Sequence, residues 1–527
     1  MTAIPLPKTV AANQWVPHAL LACVLLVSFG LPFAIPRDLW VQDEARYGAV
    51  VQEMLATGQY LVPHLNGHVY PDKPPLYFWL VLLFGKILGH SEWAFRALTL
   101  VSGLLAVEAV RRLAILVIGT EWGLRAALVY ATFALSLIVG GIVRMDMLLA
   151  ASVGWTLLAL VHLRAGAPRA WIGFWLGVCA GVAIKGPIAL AFTLVPAILA
   201  QSWDQGWEGL RALRIWPGIC ALPILLLSWI GLVLGAGHGD YLQQIWQEQL
   251  LGRAVHSWSH AQPVWYYLTL LPLILFPWSA LVATGVWRWL QAPGPSGRLV
   301  LTFCLSPLLL ISLASGKLVI YLQPLLPASA LAACHAWQQW QMLGRTPLPA
   351  RLGTALIGLL LLAGLSWAVL RLQAAPIAGW LLAPLLFLLV LAGVAMPELR
   401  RWSQLQIACA ICLSLALWLG LAPLAASQYS ARHAGEILRD ATSSGATLAI
   451  VDTTRGILNY YAGTGPMVEL DRDNAAAWWR NHRRAVLAIK RRDLGFILDS
   501  PAALARCEFH RQFELEGKAY DVLARCW

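Results

Sequence analysis

The sequence has 527 residues, of which 59% are hydrophobic and only 12% are charged, and its formal net charge is +12. A soluble globular chain is about 45–50% apolar and about 25% charged, so this composition excludes an ordinary soluble enzyme, a disordered protein and a nucleic-acid-binding domain. The 38 lysines and arginines are scattered in ones and twos, which is typical of the loops of a polytopic membrane protein.

Apolar stretches long enough to cross a bilayer follow one another as far as about residue 425. The first lies near 17–35 and lacks a small-residue cleavage site, which indicates an uncleaved span rather than a signal peptide. A shorter stretch, Leu76 to Leu88, follows two prolines and contains Lys86, so we expect an in-plane or partly inserted helix. Twelve further spans are predicted near residues 93–117, 122–142, 146–163, 170–184, 187–201, 214–236, 264–287, 299–314, 318–337, 352–370, 377–396 and 404–424.

The arginines indicate the direction in which these spans cross. If the N-terminus lies inside and 76–88 does not cross, every inside loop is basic, from Arg111 and Arg112 to Arg400 and Arg401. If 76–88 did cross, most of these arginines would lie outside. The sequence therefore predicts about thirteen transmembrane helices in an α-helical membrane domain over 1–425.

Residues 426–527 differ in composition from the rest of the chain, being charged and mixed. Short apolar runs predict strands at 446–452, 485–490 and 495–500, and the stretches between them predict helices at 433–441 and 473–482. We therefore expect a small α/β domain on the outer side.

Cys507 and Cys526 are the only cysteines of this tail. In a domain facing an oxidising compartment they are expected to form a disulfide, and the alternative is a pair of unlinked buried thiols. The other seven lie within or beside predicted spans, where cysteine usually behaves as a small apolar residue.

Ionisable residues occur in each of the first five loops that this topology places outside, beginning with 37–92. Charged groups beside a membrane are costly and mark a candidate functional site. The alternative is that each is an interfacial anchor or a solvated loop charge. The candidates are Asp43, Glu44, Arg46, Asp72 and Lys73 in the first loop, Asp146 in the second, Lys185 in the third, Glu248 and Arg253 in the fourth, and Lys317 with Tyr321 in the fifth.

These residue types suit the displacement of a phosphate. Clustered carboxylates can bind a divalent cation or act as a general base, and lysine and arginine can hold a phosphate group. The membrane location implies that a lipid carries this phosphate. The sequence contains no P-loop, no GxSxG and no HExxH motif, so cytosolic nucleotide chemistry is not supported.

The run DEARYGAVVQEMLATGQYLVPHLNGHVYPDKPPLYFWL, residues 43–80, resembles the first outer loop of the lipid A aminoarabinose transferase family. This is a family of GT-C glycosyltransferases, related more distantly to the protein O-mannosyltransferases. The resemblance covers about the first 340 residues. Its later matches are Asp146, Lys185-Gly186, Gly252-Arg253, Pro263 to Tyr267, and Ser315-Gly316-Lys317 with Tyr321.

The resemblance implies a GT-C fold in a bacterial inner membrane, with the N-terminus cytoplasmic and the active site and tail periplasmic. The enzyme would move a sugar from polyprenyl (undecaprenyl) phosphate to lipid A or another envelope glycan, with inversion and as a monomer. The alternatives are a transferase acting on protein and a transporter or flippase of a lipid-linked sugar. A non-catalytic receptor whose tail binds a ligand would leave the charged loops unexplained.

The resemblance also implies roles for individual residues. Asp43 matches the essential acid of the loop, where it would deprotonate a hydroxyl acceptor or position an acceptor that is already ionised. Glu44 and Asp146 are further catalytic candidates. The residues expected to contact the carrier phosphate are Arg46, Lys73, Arg253, Lys317 and Tyr321.

A divalent metal is the one cofactor that the resemblance suggests. Asp72 stands where the family usually has a metal-binding Glu, and Glu248 is a second candidate ligand. Near Glu248 no histidine aligns with the family's ligating one, and His256 lies several residues away. The sequence leaves open whether zinc, magnesium or no metal binds.

Overall fold

The computed structural model describes residues 18–244, 261–371, 377–442, 445–482, 484–498, 504–505 and 507–526. They form two compact units. The first contains the described parts of 1–35, 71–77 and 93–421, and the second contains those of 36–70, 78–92 and 422–527. The tail part of the second unit begins at residue 422, close to the predicted boundary at 425. Most of the first outer loop, which was predicted as part of the membrane domain, belongs to the same unit as the tail.

The first unit is built from helices. Their bounds are His18–Ala34, Glu92–Val117, Gly123–Thr132, Ala134–Val139, Met145–Arg164, Ala170–Lys185, Ala189–Phe192, Leu194–Ala212, Ile215–Gly235, Gly239–Gln244, Tyr266–Ile274, Ser279–Gln291, Pro295–Leu313, Val319–Leu325, Leu326–Leu343, Leu348–Arg371, Ile377–Ala395 and Leu399–Tyr429. In the part of the chain that the structure describes, five helices are long and apolar enough to cross a membrane, and a sixth crossing is possible if one bent pair counts as a single span.

Several predicted spans are broken helices. The predicted span 264–287 consists of two helices, Tyr266–Ile274 and Ser279–Gln291, and the chain bends by 119° between them. The predicted span 122–142 is likewise interrupted, because Phe133 has an extended ψ of 136°. The two breaks are joined by a hydrogen bond, which the backbone amide of Ala134 donates to the carbonyl of Phe276 at 2.8 Å. Hydropathy measures apolar length and does not register such breaks, which neighbouring helices make tolerable inside a membrane protein.

A buried ion triad joins three helices of the first unit. Asp204 lies 2.7 Å from Arg164 and also contacts Arg298. The Asp204 and Arg164 side chains are only 6% and 7% exposed. Arg164 also donates to Gln201 at 2.6 Å. Each buried charge therefore has a charged partner, without which burial would be costly.

The second unit combines the first outer loop with the tail. The loop contributes the helix Asp43–Thr57 and a short hairpin of β1 (His64–Leu65) and β2 (His68–Val69). The helix Leu76–Leu88, predicted as an in-plane helix, begins in the first unit and ends in the second. The tail contributes the helices Arg432–Thr442, Asn459–Ala462 and Arg472–Asn481, the short helix Arg491–Phe496, and the strands β3 (Thr447–Val451), β4 (Val468–Leu470), β5 (Ala485–Lys490), β6 (Cys507–Leu515) and β7 (Lys518–Cys526).

The tail strands form one five-stranded sheet in the order β4-β3-β5-β7-β6. Strand β3 runs parallel to β4 and β5, whereas β7 runs antiparallel to β5 and β6. The predicted strand 495–500 is wrong over 495–498, and its last two residues lie outside the described part. Leu494 and Ile497 still pack against the sheet core, but they reach it from a 3₁₀ turn.

Cys507 is disulfide-bonded, and the residue opposite it in the β6–β7 register is Cys526. The seven cysteines outside the tail are free thiols.

Candidate active site

Asp43 begins the helix Asp43–Thr57 of the first outer loop. Its carboxylate is 26% exposed and lies 3.7 Å from the Arg46 guanidinium, one helical turn later. An acid in the first turn is stabilised by the positive end of the helix dipole. The Arg46 guanidinium also lies 5.3 Å from the centre of the Tyr70 ring. The loop thus presents a partly exposed acid with a cation beside it.

Glu44 faces a different environment from its neighbour. Both of its carboxylate oxygens accept hydrogen bonds from Arg37, at 2.7 and 2.9 Å, and the side chains of the pair are only 4% and 5% exposed. One oxygen also accepts from the amide of Trp40 at 2.9 Å. These contacts occupy the carboxylate and hold Glu44 in the packed loop, and its catalytic role stays a prediction.

Asp146 and Lys185 form a buried ion pair in the first unit. Asp146 lies in the first turn of Met145–Arg164, and Lys185 is the last residue of Ala170–Lys185. Both charges therefore match the dipole of their own helix. The Lys185 helix stops there because Gly186 adopts a φ of 78°. Arg144 approaches the other carboxylate oxygen of Asp146 at 4.0 Å.

Tyr321 completes this cluster from the short helix Val319–Leu325. The Lys185 ammonium lies 4.2 Å from the centre of the Tyr321 ring, a cation–π distance. Lys317, four residues earlier, is only 3% exposed and donates to the carbonyl of Gln262 at 2.8 Å. Tyr267 holds the same stretch, because its hydroxyl donates to the carbonyl of Leu318 at 3.3 Å.

The remaining predicted site residues are Asp72, Lys73, Glu248 and Arg253. Asp72 and Lys73 are half-buried in the turn that precedes Leu76–Leu88. Glu248 and Arg253 lie outside the described residues.

Arg37, Arg144 and Lys185 contact predicted site residues, but the sequence assigned none of them a role. Lys185 was noted as an outer-loop charge and as part of a match to the family, Arg144 was a charge in the same outer turn as Asp146, and Arg37 gave no signal. Lys185 stands directly before a Gly-Pro pair at the end of a predicted span, and that position was the available clue.

The metal hypothesis can be compared with the donors present. Among the described residues, no group of three or more His, Cys, Asp or Glu side chains could hold a metal ion. The carboxylate of Glu44 is occupied by Arg37, and that of Asp146 contacts Lys185. Glu248, one of the two candidate ligands, lies outside the described residues, so the metal site stays a prediction.

A second ionic network joins the first outer loop to the tail. Arg432 contacts Asp38 at 2.6 Å and Glu92 at 2.7 Å. Tyr461 donates to Glu92 at 3.1 Å and accepts from the amide of Leu39 at 2.7 Å. Burial raises the pKa of Tyr461, and the neighbouring carboxylates raise it further, so this hydroxyl stays a donor.

Burial by itself would lower the pKa of Arg432. Hydrogen bonding to Asp38 and attraction to it outweigh that effect, so the pKa of Arg432 is raised and the guanidinium stays charged. The charged Arg432 guanidinium of the tail therefore contacts both ends of the first loop, through Asp38 and Glu92.

Comparison with known proteins gives consistent results. Residues 72–230 match the family model described as dolichyl-phosphate-mannose-protein mannosyltransferase. The chain is 31% identical over 394 residues to the undecaprenyl phosphate-alpha-4-amino-4-deoxy-L-arabinose arabinosyl transferase of Pseudomonas aeruginosa, a match that covers 72% of this chain and 71% of that protein.

The crystal structure of ArnT from Cupriavidus metallidurans bound to undecaprenyl phosphate matches with a TM-score of 0.74 at 20% identity, covering 97% of this chain and 98% of that one. Its apo form matches with a TM-score of 0.75 at 18% identity. These matches show a shared GT-C fold, which confirms the GT-C part of the predicted fold class, whereas the thirteen membrane crossings stay a prediction. With the identity to the Pseudomonas aeruginosa protein, they establish that the chain belongs to the undecaprenyl phosphate-aminoarabinose arabinosyl transferase family.

Proposed function

We propose that this protein transfers a sugar from undecaprenyl phosphate to an acceptor on the periplasmic side of the inner membrane, and that aminoarabinose and lipid A are the first pair to test. Family membership over 72% of the chain supports this proposal. The observation that carries it is the first-loop helix, on which Asp43 stays accessible while Glu44 is occupied by Arg37.

The reaction is a single displacement at the anomeric carbon of the sugar. The acceptor oxygen forms a bond to that carbon as the bond from the carbon to the carrier phosphate oxygen breaks, and the electron pair leaves with the phosphate. One displacement inverts the configuration. A hydroxyl acceptor would pass its proton to Asp43, a general-base contribution of about 10²–10⁴-fold.

An acceptor phosphate is already ionised, and Asp43 would then position it. We assign the leaving phosphate to Lys73, Arg253 and Lys317, with Tyr321 as a hydrogen-bond donor. Positive charge placed where negative charge develops stabilises the transition state. Arg46 would contribute from beside Asp43.

The topology is part of the same proposal. We propose about thirteen crossings, a cytoplasmic N-terminus and a periplasmic tail, because only this arrangement places the arginine-rich loops inside. Fusing alkaline phosphatase or green fluorescent protein after the tail tests it. An active phosphatase supports a periplasmic tail, and a fluorescent C-terminus contradicts it.

The activity test uses the full chain purified in lipid. Donors that carry different sugars on undecaprenyl phosphate are incubated with lipid A, and the product is identified by mass spectrometry. We expect a lipid A species heavier by one sugar, formed with release of undecaprenyl phosphate. Movement of the donor between leaflets without any transfer would favour a flippase, and transfer only to added periplasmic protein would favour a protein glycosyltransferase.

A further inference from the structure

Asn66 lies at the tip of the β1–β2 hairpin, yet it is only 3% exposed. Its φ of 60° and the φ of 77° at Gly67 are the left-handed values that an Asn-Gly hairpin turn requires. A hairpin tip is ordinarily solvated. Gly67 beside it is exposed, so the tip packs against another part of the second unit through the Asn66 side chain.

The Asn66 amide is fully hydrogen-bonded at this place. Its Oδ1 accepts from Nδ2 of Asn459 at 2.7 Å and from the amide of Met467 at 2.6 Å. Its Nδ2 donates to the carbonyl of Met467 at 2.9 Å and to Glu469 at 2.7 Å. A carboxamide has two donors and two acceptor sites, so these four bonds use its whole capacity. All the partners lie in the tail segment 459–469.

The same tail segment also holds the helix that carries Asp43. Gln52 on this helix donates to the carbonyl of Tyr460 at 3.0 Å. Gly48 lies so close to the Tyr460 ring that an added Cβ would come within 2.6 Å of it. The hairpin and the helix are also joined directly, since the amide of Gly67 donates to Glu53 at 3.0 Å.

We infer that Asn66 is a positioning residue, which fixes the helix Asp43–Thr57 against segment 459–469 and thereby sets the direction of the Asp43 carboxylate. This inference rests on the role of Asp43 in the proposed function. Without the Asn66 amide, the backbone groups of Met467 lose these hydrogen bonds, and Nδ2 of Asn459 is left with its 3.4 Å bond to the carbonyl of Gly465. The hairpin tip, which Gly67 joins to Glu53 of the helix, then loses its side-chain hydrogen bonds to the tail. Because a displacement of about 1 Å can cost about 10²-fold in rate, a loosened helix lowers turnover before it unfolds the protein.

The test compares Asn66→Gly with a matched control in the full-length enzyme. Glycine keeps the left-handed turn and removes only the amide group. The control is Arg455→Gln, which breaks the partly exposed 2.7 Å ion pair of the same Glu469 and leaves Asn66 in place. We expect N66G to lower kcat at least tenfold with less than a threefold change in KM for the donor, and R455Q to change neither by more than twofold.

Hydrogen exchange supplies a readout that is independent of activity. In N66G the amides of 43–57 are expected to exchange at least tenfold faster, while those of the helix Met145–Arg164 keep their wild-type rates. A wild-type kcat with wild-type exchange in N66G overturns the inference. If the wild-type enzyme transfers no sugar, the proposed function fails, whereas the exchange result still decides whether Asn66 holds the helix.

A rescue pair covers the case in which N66G does not fold. Asn66→Asp places a carboxylate against Glu469, and adding Glu469→Gln restores a donor between the two side chains. We expect N66D to lose at least tenfold in kcat, and N66D/E469Q to recover at least threefold. Equal rates in the single and double variants contradict the assigned contacts.

Discussion

The ammonium of Lys185 lies 4.2 Å from the centre of the Tyr321 ring and contacts the buried carboxylate of Asp146. Lys185 thus connects three helices. It is the last residue of its own helix, it contacts the first turn of the Asp146 helix, and it contacts the short Tyr321 helix, which lies more than a hundred residues later in the chain. The cluster shields Asp146, whose residue exposure is only 2%. Removing the charge of Lys185 or of Asp146 is therefore expected to lower the stability of the fold.

Lys185→Met is expected to destabilise the protein and abolish transfer. It removes a cationic partner of the buried Asp146 carboxylate, and removing one partner of a buried ion pair typically costs about 3–5 kcal/mol. Adding Asp146→Asn removes the stranded charge, so the double variant is expected to regain most of the lost melting temperature without regaining activity. Thermal melting in detergent checks this, and a K185M protein that melts like wild type would contradict it.

Asp43→Asn and Glu44→Gln separate the two adjacent acids of the first loop. D43N is expected to lower turnover about 10²–10⁴-fold with unchanged protein yield, because its side chain is accessible and Asn keeps its shape. E44Q is expected to lower the melting temperature, because the buried Arg37 loses its countercharge, while turnover per folded molecule stays close to wild type. An inactive E44Q protein of normal stability would return Glu44 to the catalytic group.

Asp204→Asn should affect stability and not chemistry. The substitution leaves Arg164 and Arg298 facing each other without their shared countercharge, at a cost of about 3–5 kcal/mol. Arg164 lies at the far end of the helix that begins beside Asp146, about 27 Å away at 1.5 Å per residue. We expect a lower melting temperature with kcat within twofold of wild type. The exposed Arg288→Gln is the control and should change neither.

The buried carboxylate of Asp521 predicts a pH-dependent stability of the tail. Burial would raise the pKa of Asp521, but hydrogen bonds from His510 at 2.7 Å, Arg491 at 3.1 Å and Gln512 at 3.0 Å outweigh it, so the pKa is lowered. A lowered pKa contributes stability above the ordinary value of about 3.9, and this contribution is lost as the pH falls through the folded-state pKa.

Melting curves of wild type and Asp521→Asn test this sign. The wild type is expected to melt at a higher temperature between pH 5 and pH 7, and the difference should shrink below about pH 4. A difference that stays constant down to pH 3 would mean that the contribution of Asp521 does not depend on its ionisation.

The proximity of Asp146 to Lys185 was predictable in part. Both residues lie at the outer ends of adjacent predicted spans, 146–163 and 170–184, so the topology alone brings them to one side of the membrane. Their direct contact was not predictable, because it depends on how each helix is rotated about its axis. The identity of Tyr321 as their neighbour depends on a chain segment far along the sequence.

The different environments of Asp43 and Glu44 could not be predicted from local sequence. The two acids are adjacent and have the same chemistry, and only the tertiary contact of Glu44 with Arg37 distinguishes them. The packing of the first loop against the tail could not be predicted either, for a similar reason. Asn66 and Asn459 are 393 positions apart, and neither a hydropathy pattern nor a charge pattern links them.

The discontinuous second unit has a consequence for anyone who builds hybrid transferases. A graft made at the apparent domain boundary near residue 425 exchanges the tail but leaves the native 36–70 and 78–92 segments facing a foreign surface. The Tyr460 ring of the tail packs so closely on Gly48 that a side chain could not be added there. Asn66 needs the hydrogen-bond donors and acceptors of the tail segment 459–469. The smallest portable module is therefore three stretches of chain, and a tail swapped without its two loop segments is expected to give an inert chimera.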